Sequence, residues 1–161
     1  MVADVQLKGG VTMAEYLAVN EQAVALNAPV IFSNSIPCRK GFIFHEDGTG
    51  VFTLRGITNN CFARYQVTFN GNIAIPTGGT AGPIAISITT DGEERPSSKA
   101  ISTPTAVDAY NNVTSTAIID VPAGCCRSMS VRAVSAVTDP TATPAPVINV
   151  QNANLTISRI A

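Results

Sequence analysis

Short runs that alternate apolar and polar residues, each closed by Gly, Pro or Asp-Gly, fill this chain from residue 41 onward. That rhythm leaves little room for anything but strands. Residues 41–55 (GFIFHEDGTGVFTLR), 63–75 (ARYQVTFNGNIAI), 83–90 (GPIAISIT), 115–124 (STAIIDVPAG), 128–137 (SMSVRAVSAV) and 147–160 (VINVQNANLTISRI) all carry period two. The last of these runs nearly to the final residue, so the closing strand is expected inside a sheet. With Ala23–Phe32, a further edge strand broken by Pro29, the chain predicts about eight to ten strands and no interior helix, the count of a two-sheet antiparallel jelly roll. An immunoglobulin-like sandwich fits less well, because the chain has no Trp and no Cys…Trp…Cys spacing.

Composition says what surrounds such a sandwich. At 161 residues the chain is one domain with a core of its own. Charged residues make up 13% of it, against about 25% in ordinary soluble domains. Hydrophobic residues reach 45%, and the mean hydropathy is +0.23. So few charges cannot solvate a whole surface, and part of that surface is expected to be buried against copies of the same chain. The net charge is −1 and the Lys and Arg residues are scattered, which argues against nucleic acid as a partner. No run approaches the ~20 apolar residues of a membrane helix. The opening MVADVQLKGGVTMAEYLAVNE lacks the basic and apolar regions of a secretory signal, so folding is expected in the cytoplasm.

Residues 1–22 differ from the rest. Gly9-Gly10 interrupts them, and Thr12 to Glu15 has the spacing of a capping box that would open a short helix over 13–19. Met13, Tyr16 and Leu17 would share one face of it. The segment reads as an N-terminal docking arm, and 23–161 as the folded body. Val5, Leu7, Tyr16 and Leu17 are the side chains such an arm would bury in a partner.

Within the body, Phe42, Phe44, Phe52 and Leu54 are all even-numbered. Opposed residues of an antiparallel pair share a face and have a constant index sum. An odd-numbered loop around Glu46–Thr49 therefore puts all four on one face, with Ile43, His45, Val51 and Thr53 on the other. A Gly71-Asn72 turn is expected after the 63–69 strand, and Asp91-Gly92 is a strong hairpin turn. The Gly-rich loop 76–82 is followed by no Lys and no helix pattern, so it reads as a connector and not as a phosphate loop. Residues 93–112, with Pro96 and Pro104, suggest an irregular edge crossing. Val121–Gly124 reads as a turn, and Pro140, Pro144 and Pro146 mark an extended, solvent-facing loop.

No catalytic pattern emerges. His45, the single histidine, stands beside Glu46 and Asp47; the trio could serve as a general base with carboxylate support or as part of a metal site. A hydrophilic hairpin tip is the simpler account. The chain has no G-x-S-x-G, no H-E-x-x-H and no second His. No catalytic, cofactor-binding or metal-ligating residue is therefore assigned, and no enzymatic activity is expected. The cysteines Cys38, Cys61, Cys125 and Cys126 lack zinc-type spacing. Free thiols, with Cys61 as a small buried hydrophobe, are favoured over a bridge through Cys38 or Cys61 and over metal.

The run GFIFHEDGTGVFTLRG…ARYQVTFNGNIAIPTGG…GPIAISITTDGE…STAIIDVPAGCC…MSVRAVS…VQNANLTISRI resembles jelly-roll domains of the tumour-necrosis-factor/C1q-like type across residues 23–161. In bacteria and their phages such domains end collagen-like surface proteins and form head-fibre or capsid decoration proteins. The resemblance implies a homotrimer about a threefold axis, with the arms leaving one end. The chain has no collagen-like Gly-X-Y tract and no signal. These departures favour a virion component: a trimeric capsid decoration or head-fibre protein of a tailed phage. It would fold in the host cytoplasm and reside on the capsid surface. Its partners would be itself and the major capsid protein or another virion protein, with Val5, Leu7, Tyr16 and Leu17 as the dock. The alternative is a carbohydrate- or receptor-binding surface module whose loops touch a host-surface glycan. Neither reading involves a cofactor, a nucleic acid or a membrane.

Overall fold

The computed structural model describes residues 13–37, 41–124, 126–137 and 139–161. In chain order their strands are β1 (Met13–Ala18), β2 (Gln22–Ala25), β3 (Asn34–Ile36), β4 (Ile43–His45), β5 (Phe52–Arg55) and β6 (Phe62–Ala74). There follow β7 (Ile84–Thr90), β8 (Glu93–Glu94), β9 (Ala100–Ser102), β10 (Asn111–Pro122), β11 (Cys126–Val134) and β12 (Val147–Arg159). They form two six-stranded antiparallel sheets. The first runs β10-β6-β12-β1-β3, with β2 also on β12; the second runs β4-β5-β11-β7-β8, with β9 also on β7. The alternating runs become strands where alternation placed them, and the closing strand β12 lies inside the first sheet.

Period two decides what is buried. Along β6, Ala63, Tyr65, Val67 and Phe69 point inward and have no exposed surface. They meet Phe52, Leu54, Ile86, Ile88 and Val131 of the second sheet in one continuous core. Each such side chain contributes roughly 1.5–3 kcal/mol by leaving water. Phe32 sets its ring edge-on to Phe52 at 5.6 Å and to Phe69 at 6.5 Å, the geometry aromatic quadrupoles prefer.

The edge crossing predicted over 93–112 holds β8, a 3-10 turn over Pro96–Ser98 and β9, and its last two residues, Asn111 and Asn112, already belong to β10. It completes the edge of β7. Ser98 Oγ accepts from Ile88 N at 3.0 Å, at the gap between the β8 and β9 pairings, and contacts Ser87 Oγ at 3.0 Å. Ser115 on β10 donates to the Ser98 carbonyl and ties this edge to the opposite sheet. These buried hydroxyls are tolerated because each has a partner. Asp91 (φ 52) and Gly92 (φ 85) are both left-handed, as a tight hairpin turn requires.

Three expectations are corrected. Residues 13–19 contain no helix: Met13–Ala18 is strand β1, between β12 and β3, paired with Ala153–Ser158 along its whole length. Ala14, Tyr16 and Ala18 alternate into the core. A two-turn helix is marginal on its own, and ladder pairing on both sides outweighs one capping box. Residues 13–22 therefore belong to the body, and the arm expected over 1–22 loses them; residues 1–12 lie outside the described residues.

The hairpin parity is also reversed. Ile43 pairs with Leu54, Phe44 with Thr53 and His45 with Phe52, an odd index sum with the even-numbered loop 46–51. His45 thus faces in beside Phe52, and Phe44 is 56% exposed. A distant segment sets this loop. Gly48 N donates to Phe32 O at 2.9 Å and Phe32 N to Thr49 O at 3.1 Å. At Gly50 an added Cβ would lie 2.6 Å from Val30 O and 2.6 Å from Pro29 Cβ. Last, Gly71-Asn72 is no turn, because β6 runs straight through it, pairing Gly71 with Val113 and Asn72 with Asn112. Gly71 is needed for packing: an added Cβ would stand 2.9 Å from the Phe69 ring and 3.0 Å from Ala153 Cβ. The neighbouring strand bulges between Gln151 and Asn154 at the same level.

Candidate self-association surface

The outward residues of the first sheet form a flat face whose chemistry is unusual for solvent. Register places Thr114, Asn70, Asn154, Leu17 and Asn34 in one row across five strands. The next row holds Thr116, Thr68, Thr156, Glu15 and Ile36, and the one after it Ile118, Gln66, Ser158 and Met13. Many of these polar groups satisfy one another. Asn112 Nδ2 donates to Asn72 Oδ1 at 3.0 Å and Thr114 Oγ1 to Asn70 Oδ1 at 3.1 Å. The Thr68 and Thr116 hydroxyls lie 3.2 Å apart.

Charge on this face is nearly cancelled. At its lower edge Arg64 Nε meets Asp120 Oδ1 at 2.7 Å and Nη2 meets Oδ2 at 3.1 Å. That two-point hydrogen bond raises the Arg64 guanidinium above its usual range and lowers the Asp120 carboxyl below its own. Glu15 has no ion-pair partner among the described residues. Apart from Glu15, which would need a partner from the other copy, a face of internally satisfied side chains costs little to desolvate and can pack against another copy.

Area sets what else is needed. Five strands about 4.8 Å apart and the three rows above, about 6.8 Å apart, cover roughly 500 Å², short of the ~800 Å² per partner of a stable interface. The flank closed by β3 and β4 can supply the rest. β10 packs against β7 and β9 at one side of the sandwich, which leaves the edge strands β3 and β4 at the other. Exposed Ile31, Ile36, Phe44 and Val51 stand on or next to these edges, at 44%, 60%, 56% and 49% exposure.

The docking residues expected from sequence separate. Tyr16 is 2% exposed, with its ring 4.9 Å from His45 and 4.6 Å from Phe52; it is a core residue and not a partner-facing anchor. Leu17 is half-buried and lies on the outer sheet face. Val5 and Leu7 lie outside the described residues. Alternation in MAEYLA could have placed Tyr16 inside, had the segment been read with period two.

His45 does not sit on a polar turn tip. Its imidazole is buried, stacked on Phe52 at 4.2 Å and 11°, and Nε2 donates to Thr49 O at 3.0 Å. Nδ1 is 3.7 Å from Asp47 Oδ1. The ring fills core volume and opens onto none of the grooves described below. Cys61, expected buried, is exposed, as is Cys126; Cys38 and Cys125 lie outside the described residues. Among the described residues no group of three or more His, Cys, Asp or Glu could hold a metal ion.

Two large grooves open at the ends of the sandwich. One, of about 670 Å³, lies between the Gly-rich connector 76–82 and the Pro-rich loop 142–147 and has no charged lining residue. The other, of about 700 Å³, lies at the opposite end and includes Phe42, loop 56–60, Gly124 and Arg159.

No family model matches the sequence, and no curated protein is similar to it. Solved structures share the fold. The globular domain of zebrafish complement 1qA superposes with a TM-score of 0.59 at 12% identity, covering 93% of this chain and 97% of that domain. Eiger TNF from S. frugiperda gives 0.61 at 12% identity, with 92% of each chain covered. Murine APRIL at pH 5.0 gives 0.55 at 12% identity, covering 92% of this chain and 98% of that one. The protein is an all-β, two-sheet antiparallel jelly roll of the TNF/C1q-like type.

Proposed function

We propose that this protein is a structural module that assembles as a homotrimer and decorates the head of a tailed phage, as a capsid decoration or head-fibre protein without enzymatic activity. It folds in the host cytoplasm and ends on the capsid surface. The observation that carries self-association is the neutral, internally hydrogen-bonded outer face of the first sheet, in a chain with 13% charged residues. The threefold symmetry and the virion context follow from the resemblance of the sequence to phage and bacterial trimeric jelly rolls. The dock then falls to residues 1–12, which hold Val5 and Leu7, and to loops at the end of the sandwich where β1 begins.

The experiment is attachment. Purified protein is mixed with undecorated phage heads, and the bound fraction is measured by co-sedimentation. Saturable binding, lost on deletion of residues 1–12, supports the reading; no binding removes the virion role. A second reading, a carbohydrate- or receptor-binding surface module, has its own supporting observation in the arginine-bearing groove near Phe42.

A further inference from the structure

Two guanidinium groups with no Asp or Glu partner among the described residues belong to the end of the sandwich that holds the 700 Å³ groove: Arg159 lines it, and Arg55 directly precedes the lining residues Gly56 and Ile57. Arg55, the last residue of β5, is exposed and donates its backbone N–H to Phe42 O at 2.9 Å. Its Nη1 lies 3.9 Å from the place a Cβ on Gly41 would occupy. Arg159, the last residue of β12, holds its guanidinium 4.3 Å from the centre of the Phe42 ring. Arg159 Nε donates to Ala161 O at 3.1 Å, and no described hydrogen bond engages its terminal amino groups. The neighbouring arginines are spent, Arg64 on Asp120 and Arg127 on Asp91.

The groove beside this pair offers neutral polar groups and apolar surface together. Phe42, Ile57, Thr58, Asn59, Asn60 and Arg159 line it, and no lining residue is acidic. Thr58 Oγ1 accepts from Asn60 N at 3.1 Å, which holds the loop in shape. Planar guanidinium forks match a carboxylate, amides and hydroxyls match sugar hydroxyls, and apolar side chains match the C–H face of a pyranose ring. The groove is broad and shallow, so it would take one face of a sugar ring and leave the other in water.

We propose that this groove binds a carboxylated saccharide, with Arg55 and Arg159 clamping the carboxylate and Thr58, Asn59 and Asn60 taking ring hydroxyls. The inference rests on the second reading above, that of a carbohydrate-binding surface module. It does not depend on how many copies assemble. Phe42 is the platform: the Arg159 guanidinium stacks on its ring and the Arg55 backbone pairs with its carbonyl, so the Arg159 guanidinium is positioned before any ligand arrives.

The test is calorimetric titration of the full-length protein with digalacturonic acid, with neutral digalactose and with inorganic phosphate. Saturable binding of the uronate is expected, with digalactose and phosphate at least about tenfold weaker. Arg55→Gln and Arg159→Gln should each weaken uronate binding by about tenfold or more, as loss of a charge-assisted pair does. Arg159→Lys, which keeps the charge and loses the fork, should also weaken it, whereas Arg132→Gln on the second sheet should not. Light scattering on each variant separates lost binding from lost assembly. Equal affinity for digalactose would remove the carboxylate clamp and keep a sugar-binding module. Phosphate binding as tight as the uronate, or no binding at all, would overturn the proposal.

Discussion

Tyr110 shows how one side chain holds the top of the first sheet. Its hydroxyl donates to Glu21 Oε2 at 2.5 Å, and Asn149 Nδ2 reaches Glu21 Oε1 at 3.4 Å. The approach to β10, the β1–β2 turn and β12 are joined in one cluster. Burial, and then the Glu21 carboxylate, push the phenol up to about 12 from 10.0. The folded form thus keeps its proton where the unfolded chain has lost it. The resulting stabilisation is complete below pH 10 and is lost as pH rises towards 12. Urea midpoints measured from pH 9 to 12 should therefore fall more steeply for the natural protein than for Tyr110→Phe. At the hairpin, the register makes a second contrast. His45→Ala empties a stacked, buried site and should cost about 2–4 kcal/mol, as truncation of buried aromatics does. Phe44→Asp changes a 56% exposed position and should cost under about 1 kcal/mol in the isolated fold. Equal losses in denaturant titrations would contradict the observed pairing.

Among the elements, legibility in the sequence depends on range. β12, the 63–69 stretch of β6 and the 115–122 stretch of β10 are legible because sustained alternation specifies a face. β1 is not, because its six residues carry a local helix-start signal and gain their strand state only from β12 and β3. The parity of β4 and β5 failed for the same reason. Their loop length is fixed by Phe32 and Pro29, residues that no local turn rule consults. Gly71 looked like a turn because its real constraint, the Phe69 ring and Ala153, comes from packing. The candidate face was half legible: its low charge shows in composition, whereas its rows exist only once register is known. The Phe42 groove is not legible at all, since Phe42 and Arg159 lie more than about a hundred residues apart in sequence and stack only through the fold. Truncation tests the corrected boundary. Removing residues 1–12 breaks no pairing described above and should leave a folded protein, by circular dichroism and melting. Removing 1–18 deletes β1 together with Tyr16 and should abolish cooperative melting.

At the scale of the whole molecule, the account rests on a sandwich that is saturated inside and under-charged outside. The core needs no partner, because both sheets bury their inner faces fully. The outer face of the first sheet and the β3–β4 flank are what a second and third copy would cover. Thr68 stands in the middle row of that face, between Thr116 and Thr156. Thr68→Glu adds a second carboxylate to the row that already holds Glu15, which costs little in water and several kcal/mol, by rough estimate, in a closed interface. The decisive measurement is the mass of the natural protein and of Thr68→Glu by light scattering at micromolar concentration. The account predicts about 50 kDa for the natural protein, three times the 16.7 kDa chain, and a folded single chain for Thr68→Glu. A natural protein that runs as a 16.7 kDa monomer would contradict it.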